Sequence, residues 1–394
     1  MLELFYSFLG ILFGILCGVI PGLHINTLLS FLELINADPF LISITVVAMA
    51  SSYSVFEVVR SIFLSVPDDS VVAVLPGHRM LLEGKGAYAL KLCAVSSLLA
   101  VILSAIISPL LFFFLPPLFI LFKPFVPWIV LAATVFLVFY DASVYSIVVF
   151  ILSGILGLVV LDGSLVKEPL FPSFTGLFAT SSLLMSIAKN EKIPSQKKPE
   201  EVMVSSIFGW VLLGVLLGML ADFLPAIGTP AQLATLASPF VILNPPAFLS
   251  MTTAINVSHT LFSFVFEESV GVARTGSAIF VKSLGVVDFG LMPMVGVFML
   301  SSSVSIALLI FLADRVAHLC EGTDSRILSG ILFVYLIVVV LLISGPYGLL
   351  ILATSTAIGL LALVGKVRRT NLMGILLMPT LLNMFGLTWV ALLV

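Results

Sequence analysis

The chain has 394 residues, of which 61% are hydrophobic and 9% charged, with a net charge of −3 and a mean hydropathy of +1.28. A soluble domain carries about a quarter charged residues, whereas here apolar runs of roughly 17–25 residues, long enough to cross a bilayer, recur from end to end. The chain therefore reads as an all-α, multi-pass integral protein of the cell membrane. The acidic balance supplies no basic stripe and excludes nucleic acid as a partner. Cys17, Cys93 and Cys320 lack metal or disulfide spacing, and no cofactor is expected. With Glu3 and no basic n-region, no cleavable signal peptide is expected either.

The first apolar run is interrupted. Gly10, Gly14 and Gly18 are four apart and share one helix face, which lets another backbone come close. Pro21 and Gly22 then break the run, and His24, Asn26 and Thr27 follow before residues 28–32 resume it. Two readings stand: a helix ending at the membrane surface, or one broken at membrane depth with polar groups at the break, as transporters build ligand sites.

Residues 40–66 form the next run and carry Glu57 and Arg60 on one helical face. They are either a structural ion pair or a functional pair, because ionisable groups in a span are costly unless paired or facing a cavity. Val66-Pro67-Asp68-Asp69-Ser70 stops that run. Asp68, Asp69 and Ser70 either hold a coupling sodium ion, carry a proton because adjacent carboxylates raise one pKa, or cap a helix starting near Ser70. Residues 90–122 are long for one span, and Pro109, Pro116 and Pro117 are expected to divide them. Residues 126–140 and 144–161 follow around Asp141. Residues 169–187, with Pro172, Ser173, Thr175 and Gly176, read as irregular or re-entrant.

Residues 188–201 hold four lysines and three glutamates and cannot span. The positive-inside rule makes them a solvated cytoplasmic loop, on the same side as Lys366, Arg368 and Arg369. They divide the chain into a first transmembrane repeat (1–187), a charged linker (188–202) and a second transmembrane repeat (203–394). In the second half Gly209, Gly214 and Gly218 precede Pro225-Ala226-Ile227-Gly228-Thr229-Pro230. This aligns Gly14 and Gly18 with Gly214 and Gly218, with about four extra residues before the proline. Residues 289–313, 327–343, 345–365 and 372–394 read as further spans. The architecture expected is roughly ten to twelve segments in two halves with broken or re-entrant helices. Whether the halves are parallel or inverted depends on the parity of crossings and stays open.

The chain is similar to the TctA family, the large membrane subunit of tripartite tricarboxylate transporters, and most similar to its archaeal-type branch. Three passages carry the resemblance: G-x3-G-x3-G-x2-P-G-L from Gly10 to Leu23, S-V-P-D-D-S-V-V-A-V-L-P-G-H-R-M-L-L-E-G-K-G from Ser65 to Gly86, and T-G-L-F-A-T-S-S-L-L from Thr175 to Leu184. In the second half, residues 255–263 and 273–278 resemble that branch's N-T-x-N-x-x-F-S and A-R-S-G blocks, with Ser258 and His259 in place of asparagine. The resemblance implies a transporter of small organic anions driven by a cation gradient, with a small membrane subunit and an extracytoplasmic binding protein as partners. It adds Asn256 to the candidate binding residues.

A carboxylate needs helix N-termini, hydroxyl or amide donors and a fixed cation in a desolvated place. Gly22, His24, Asn26 and Thr27 supply such groups at the first break, with a half-helix expected to start at about Asn26, itself a good N-cap. Gly228, Thr229 and Gln232 form the partner break. Arg274, among Thr275, Gly276 and Ser277, is either the fixed cation or a cytoplasmic loop arginine. His24 and His259 titrate near neutrality and are either proton carriers or hydrogen-bonded buried histidines. No H-E-x-x-H or G-x-S-x-G occurs, so an enzyme is not expected. A flippase for a polyprenyl-phosphate lipid is the alternative transport reading, and intramembrane chemistry by His24 with Asp68 and Asp69 the remaining one. Self-association into a homo-oligomer is left open.

Overall fold

The computed structural model describes residues 1–32, 37–63, 74–162, 166, 168–189, 192–239, 244–286 and 289–387. Asp68, Asp69 and Ser70 lie outside the described residues, as does the side chain of Thr27. The first half comprises α1 (Leu2–Val19), α2 (Ile25–Leu32), α3 (Pro39–Phe63), α4 (Val74–Leu82), α5 (Gly86–Phe122), α6 (Val126–Phe139), α7 (Val144–Asp162), α8 (Leu170–Phe174) and α9 (Ser181–Lys189), with a π-turn over Thr175–Thr180 joining the last two. The second comprises α10 (Val204–Phe223), α11 (Pro230–Ala237), α12 (Pro245–Val270), α13 (Gly276–Ser283), α14 (Leu291–Leu319), α15 (Ser325–Val364) and α16 (Gly374–Met384). Among the described residues, eight helical stretches are long and apolar enough to cross a membrane, counting α5 through α6 and α8 through α9 as one each.

The glycine spacing explains how α1 docks. A β-carbon on Gly10 would meet the carbonyl oxygen of Thr45, one on Gly14 that of Met49, and one on Gly18 the Phe56 Cβ at 2.7 Å. Contacts rise together along both helices, so α1 and α3 run parallel. Gly214 faces the Met251 carbonyl, and Gly218 faces Ser258 Oγ and the Ile255 carbonyl, so α10 and α12 do the same.

The remaining contacts set the two pairs against each other. Phe40 meets the ring of Phe289 and Ser51 meets Ser302, so α3 runs with α14. Cys93 lies beside Thr253 and the Ser269 hydroxyl donates to the Phe112 carbonyl, so α5 runs with α12. The Gly86 N–H, at the start of α5, donates to Gln196 Oε1 at 2.8 Å. The Gln196 N–H donates to Glu321, just past the end of α14, at 2.6 Å. So α5 begins where α14 ends, and α1 and α10 point in opposite directions.

Two expectations change. First, α5 is one unbroken helix through Pro109, Pro116 and Pro117. Each proline removes a single donor, a loss that a membrane helix absorbs locally. Second, residues 192–197 are a strap fastened through its backbone and Gln196, while Lys192, Ser195 and Lys197 stay exposed as a solvated loop would have them. Gln196 is 8% exposed, its amide donates to the carbonyls of Leu81 and Pro194, and Lys197 N–H donates to the Gly84 carbonyl at 2.8 Å. Lys192 and Ile193 pair with the turn at Gly322–Asp324. The separation expected between 327–343 and 345–365 is kept, because the 40-residue α15 folds back on itself at Gly345 (φ 69°, ψ −170°) before Pro346. Ser329 bonds Ser186 at 2.9 Å and Thr356 bonds Thr180 at 2.6 Å, partners only six residues apart.

Candidate functional site

The two breaks share one backbone recipe. α1 ends in extended Ile20 (φ −84°, ψ 118°) and α10 in extended Leu224 (φ −109°, ψ 102°). Two residues on, Gly22 and Ala226 take left-handed φ of 77° and 62°. Gly22 is glycine for space as well, since a β-carbon would lie 2.7 Å from Leu336 Cδ2. Ala226 holds the same conformation at a cost of roughly 1–2 kcal/mol.

Each interrupted helix leaves carbonyls without partners at its C-terminal, negative end. An arginine covers each end. Arg60, 1% exposed, donates to the Cys17 carbonyl at 3.1 Å, the Ile20 carbonyl at 3.4 Å and the Tyr53 hydroxyl at 3.2 Å. Arg274 Nε donates to the Asp222 carbonyl at 3.1 Å.

The helices that restart do so with different caps. α2 starts at Ile25, one residue before the start expected at Asn26. His24 Nδ1 accepts the Asn26 N–H at 3.2 Å, so the histidine and not Asn26 caps the helix, and the proton of its neutral ring sits on Nε2. α11 opens on a capping box, with Thr229 Oγ1 accepting the Gln232 N–H and Gln232 Oε1 accepting the Thr229 N–H, both at 3.3 Å. Thr275 caps α13 by accepting the Ala278 N–H at 3.3 Å.

These three starts converge on one cavity of about 320 Å³. Its polar wall holds His24, Asn26, Tyr53, Glu57, Gly228, Thr229, Asn256, His259, Thr260, Arg274, Thr275, Gly276 and Ser277. Its apolar wall holds Leu170 and Phe174 from the first half and Ala221, Leu224, Met373 and Leu376 from the second. Asn256 also ties α12 to α3 by donating to the Ser54 carbonyl at 3.2 Å.

Of the residues singled out from sequence, His24, Asn26, Gly228, Thr229, Asn256, His259 and Arg274 line this cavity. Gly22 does not; it makes the turn beneath it. Gln232 is fully buried and bonded to Thr229 and to the Ala226 carbonyl, so it holds the break from behind. Tyr53 and Asp222 were not singled out. Asp222 lies in the last turn of α10, is 0% exposed, and places Oδ2 3.2 Å from His259 Nδ1. An acid at the negative end of an apolar helix is the anomaly that would have revealed it. Among the described residues no group of three or more His, Cys, Asp or Glu side chains could hold a metal ion.

Helix N-termini, amide and hydroxyl donors and one guanidinium, all facing a partly apolar chamber, form an arrangement suited to a small anion with a carbon skeleton. Comparison with known proteins bears on what uses it. The chain is 31% identical to an uncharacterized protein of Methanocaldococcus jannaschii over 97% of this chain and 99% of that protein. No solved structure matches. The sequence profile of the tripartite tricarboxylate transporter TctA family matches residues 4–374. That family's members work in a transporter with other subunits and a binding protein. The chain belongs to the tripartite tricarboxylate transporter TctA family, and is an integral membrane component of a transporter and not an enzyme.

Proposed function

We propose that this chain carries a small carboxylate anion across the membrane by alternating access between two inverted halves, driven by a sodium or proton gradient. The observation behind this reading is the meeting of the α2, α11 and α13 starts with Arg274 at one cavity. Each start contributes up to about half a positive charge, and the cavity is at the small end of ligand pockets. Two halves whose leading helices run in opposite directions can exchange conformations, which closes the cavity to one side as it opens to the other.

The matching breaks, extended Ile20 with Leu224 and left-handed Gly22 with Ala226, favour a repeat register in which Gly10 pairs with Gly214 and Gly14 with Gly218. This is one turn from the register expected from sequence, and the four extra residues vanish. Pro21 then pairs with Pro225, Gly22 with Ala226, Gly18 with Asp222, and Tyr53 with His259. In this reading a small membrane subunit and an extracytoplasmic binding protein deliver the substrate. The test is uptake of labelled citrate and succinate into vesicles bearing the chain with its partner subunits, under imposed sodium or proton gradients. Accumulation that follows one gradient is expected; no accumulation of either acid under both gradients would sink the proposal.

A further inference from the structure

We propose that Asp222 and His259 form the group that binds the coupling proton, with His259 presenting it to the bound anion and Asp222 acting as the positioning residue. This rests on the carboxylate-transport reading above and names its coupling ion.

Asp222 is fully buried in the last turn of α10, where the helix dipole already disfavours an anion. One oxygen meets His259 at 3.2 Å, and the other, Oδ1, has no hydrogen-bond partner among the described residues. A carboxylate in that position is costly unless cations accompany it. The charged groups that act on it are His259 of α12 and Arg274 of the segment before α13, and Ser263 of α12 adds a hydroxyl. His24 and Glu57 are the titratable groups that line the same cavity from the first half.

The imidazole geometry links this pair to the ligand chamber. With Nδ1 on Asp222, Nε2 faces the second break: a β-carbon built on Gly228 would lie 3.4 Å from Nε2. In the neutral ring Nδ1–H donates to the carboxylate and the Nε2 lone pair faces Gly228, so that edge repels an anion. A proton taken up on Nε2 turns that atom into a donor and adds a full positive charge, while the carboxylate behind it stabilises the imidazolium. Proton and anion therefore raise each other's affinity, and the linkage is reciprocal. Release of the anion on the other side weakens the hold on the proton, which leaves from the same nitrogen. The pair exists in one half only. In the register set by the two breaks its counterparts are Gly18 and Tyr53, which offer neither a carboxylate nor an imidazole.

Citrate binding to the purified chain in nanodiscs, followed by calorimetry in buffers of different ionisation heat, tests this. In the wild type, citrate binding takes up about one proton, and affinity falls by up to about tenfold per pH unit on the alkaline side. His259→Gln leaves only citrate's own ionisation. Asp222→Asn shifts the affinity profile toward acid by about one to three pH units, a shift that a merely structural loss would not produce. Proton uptake unchanged in both variants, or abolished by His24→Gln instead, overturns the assignment. Nitrogen-15 spectra of the histidines in the substrate-free wild type separate the two proposals. A His259 that keeps one protonation state across the neutral range overturns the coupling assignment even if citrate binds. A His259 that titrates, and shifts in Asp222→Asn, in a protein that binds no organic acid supports the proton site and overturns the carboxylate reading alone.

Discussion

Gly276 sits directly against the carboxamide of Asn26, so that a β-carbon on the glycine would overlap the Asn26 side-chain oxygen. The start of α2 in the first half thus meets the start of α13 in the second with nothing between them but one side chain. Gly276→Ala is expected to push the exposed Asn26 carboxamide out of place at little cost in stability, read as lost citrate affinity with the unfolding temperature nearly unchanged. Gly296→Ala, where a β-carbon meets nothing within 4 Å, is the matched control and is expected to stay within about 0.5 kcal/mol.

Asn26→Ala leaves the His24 cap on the Asn26 backbone N–H in place, because the bond uses no Asn26 side-chain atom. The variant is expected to fold with its unfolding temperature nearly unchanged and to bind substrate about tenfold more weakly, the size of one lost hydrogen bond. Transport equal to wild type would remove the first break from the binding site.

Arg274→Lys separates charge from shape. The guanidinium reaches the Asp222 carbonyl through Nε, and a lysine ammonium cannot reproduce that fixed fork. Substrate affinity is expected to fall about ten- to a hundredfold while the positive charge is kept. Affinity within twofold of wild type would mean that only the charge matters there.

Gln196 fastens the strap to both neighbouring turns through Gly86, Leu81 and Glu321. Gln196→Ala is expected to cost about 1–3 kcal/mol and to speed tryptic cleavage after Lys197, the bond after Lys198 being protected by Pro199. A cleavage rate equal to wild type would show that the backbone bonds of Ile193, Gln196 and Lys197 hold the strap without the Gln196 side chain.

Acid should loosen the same strap. The Gln196 backbone N–H on Glu321, with His318 Nδ1 at 2.7 Å, holds the Glu321 carboxyl below its ordinary range. A group whose folded value is depressed stabilises the fold above its unfolded value and loses that contribution as pH falls through the folded one. Strap cleavage by an acid-tolerant protease is therefore expected to rise as pH drops below about 4, and Glu321→Gln should flatten that dependence.

Much of this protein follows from its sequence alone. The hydrophobic runs determined that it is a membrane protein. The Pro-Gly and Pro-Ala pairs marked both places where a helix stops inside apolar sequence, because proline and left-handed backbone act within a few residues of themselves. Small polar residues beside those stops were equally visible. The prolines of α5 misled, because a lost N–H in a long apolar helix does not by itself end it.

The tertiary structure decided what depends on residues far apart in the chain. That α1 and α10 run in opposite directions came from contacts such as Phe40 with Phe289 and Ser269 with Phe112. That Asp222 stands behind His259 followed from burial and from a partner in another helix. Periodicity and propensity report only on neighbours along the chain. The direction of a helix, the partner of a buried charge and the register of two halves are set by packing between segments some hundreds of residues apart, where each polar group is satisfied by whatever the fold brings to it.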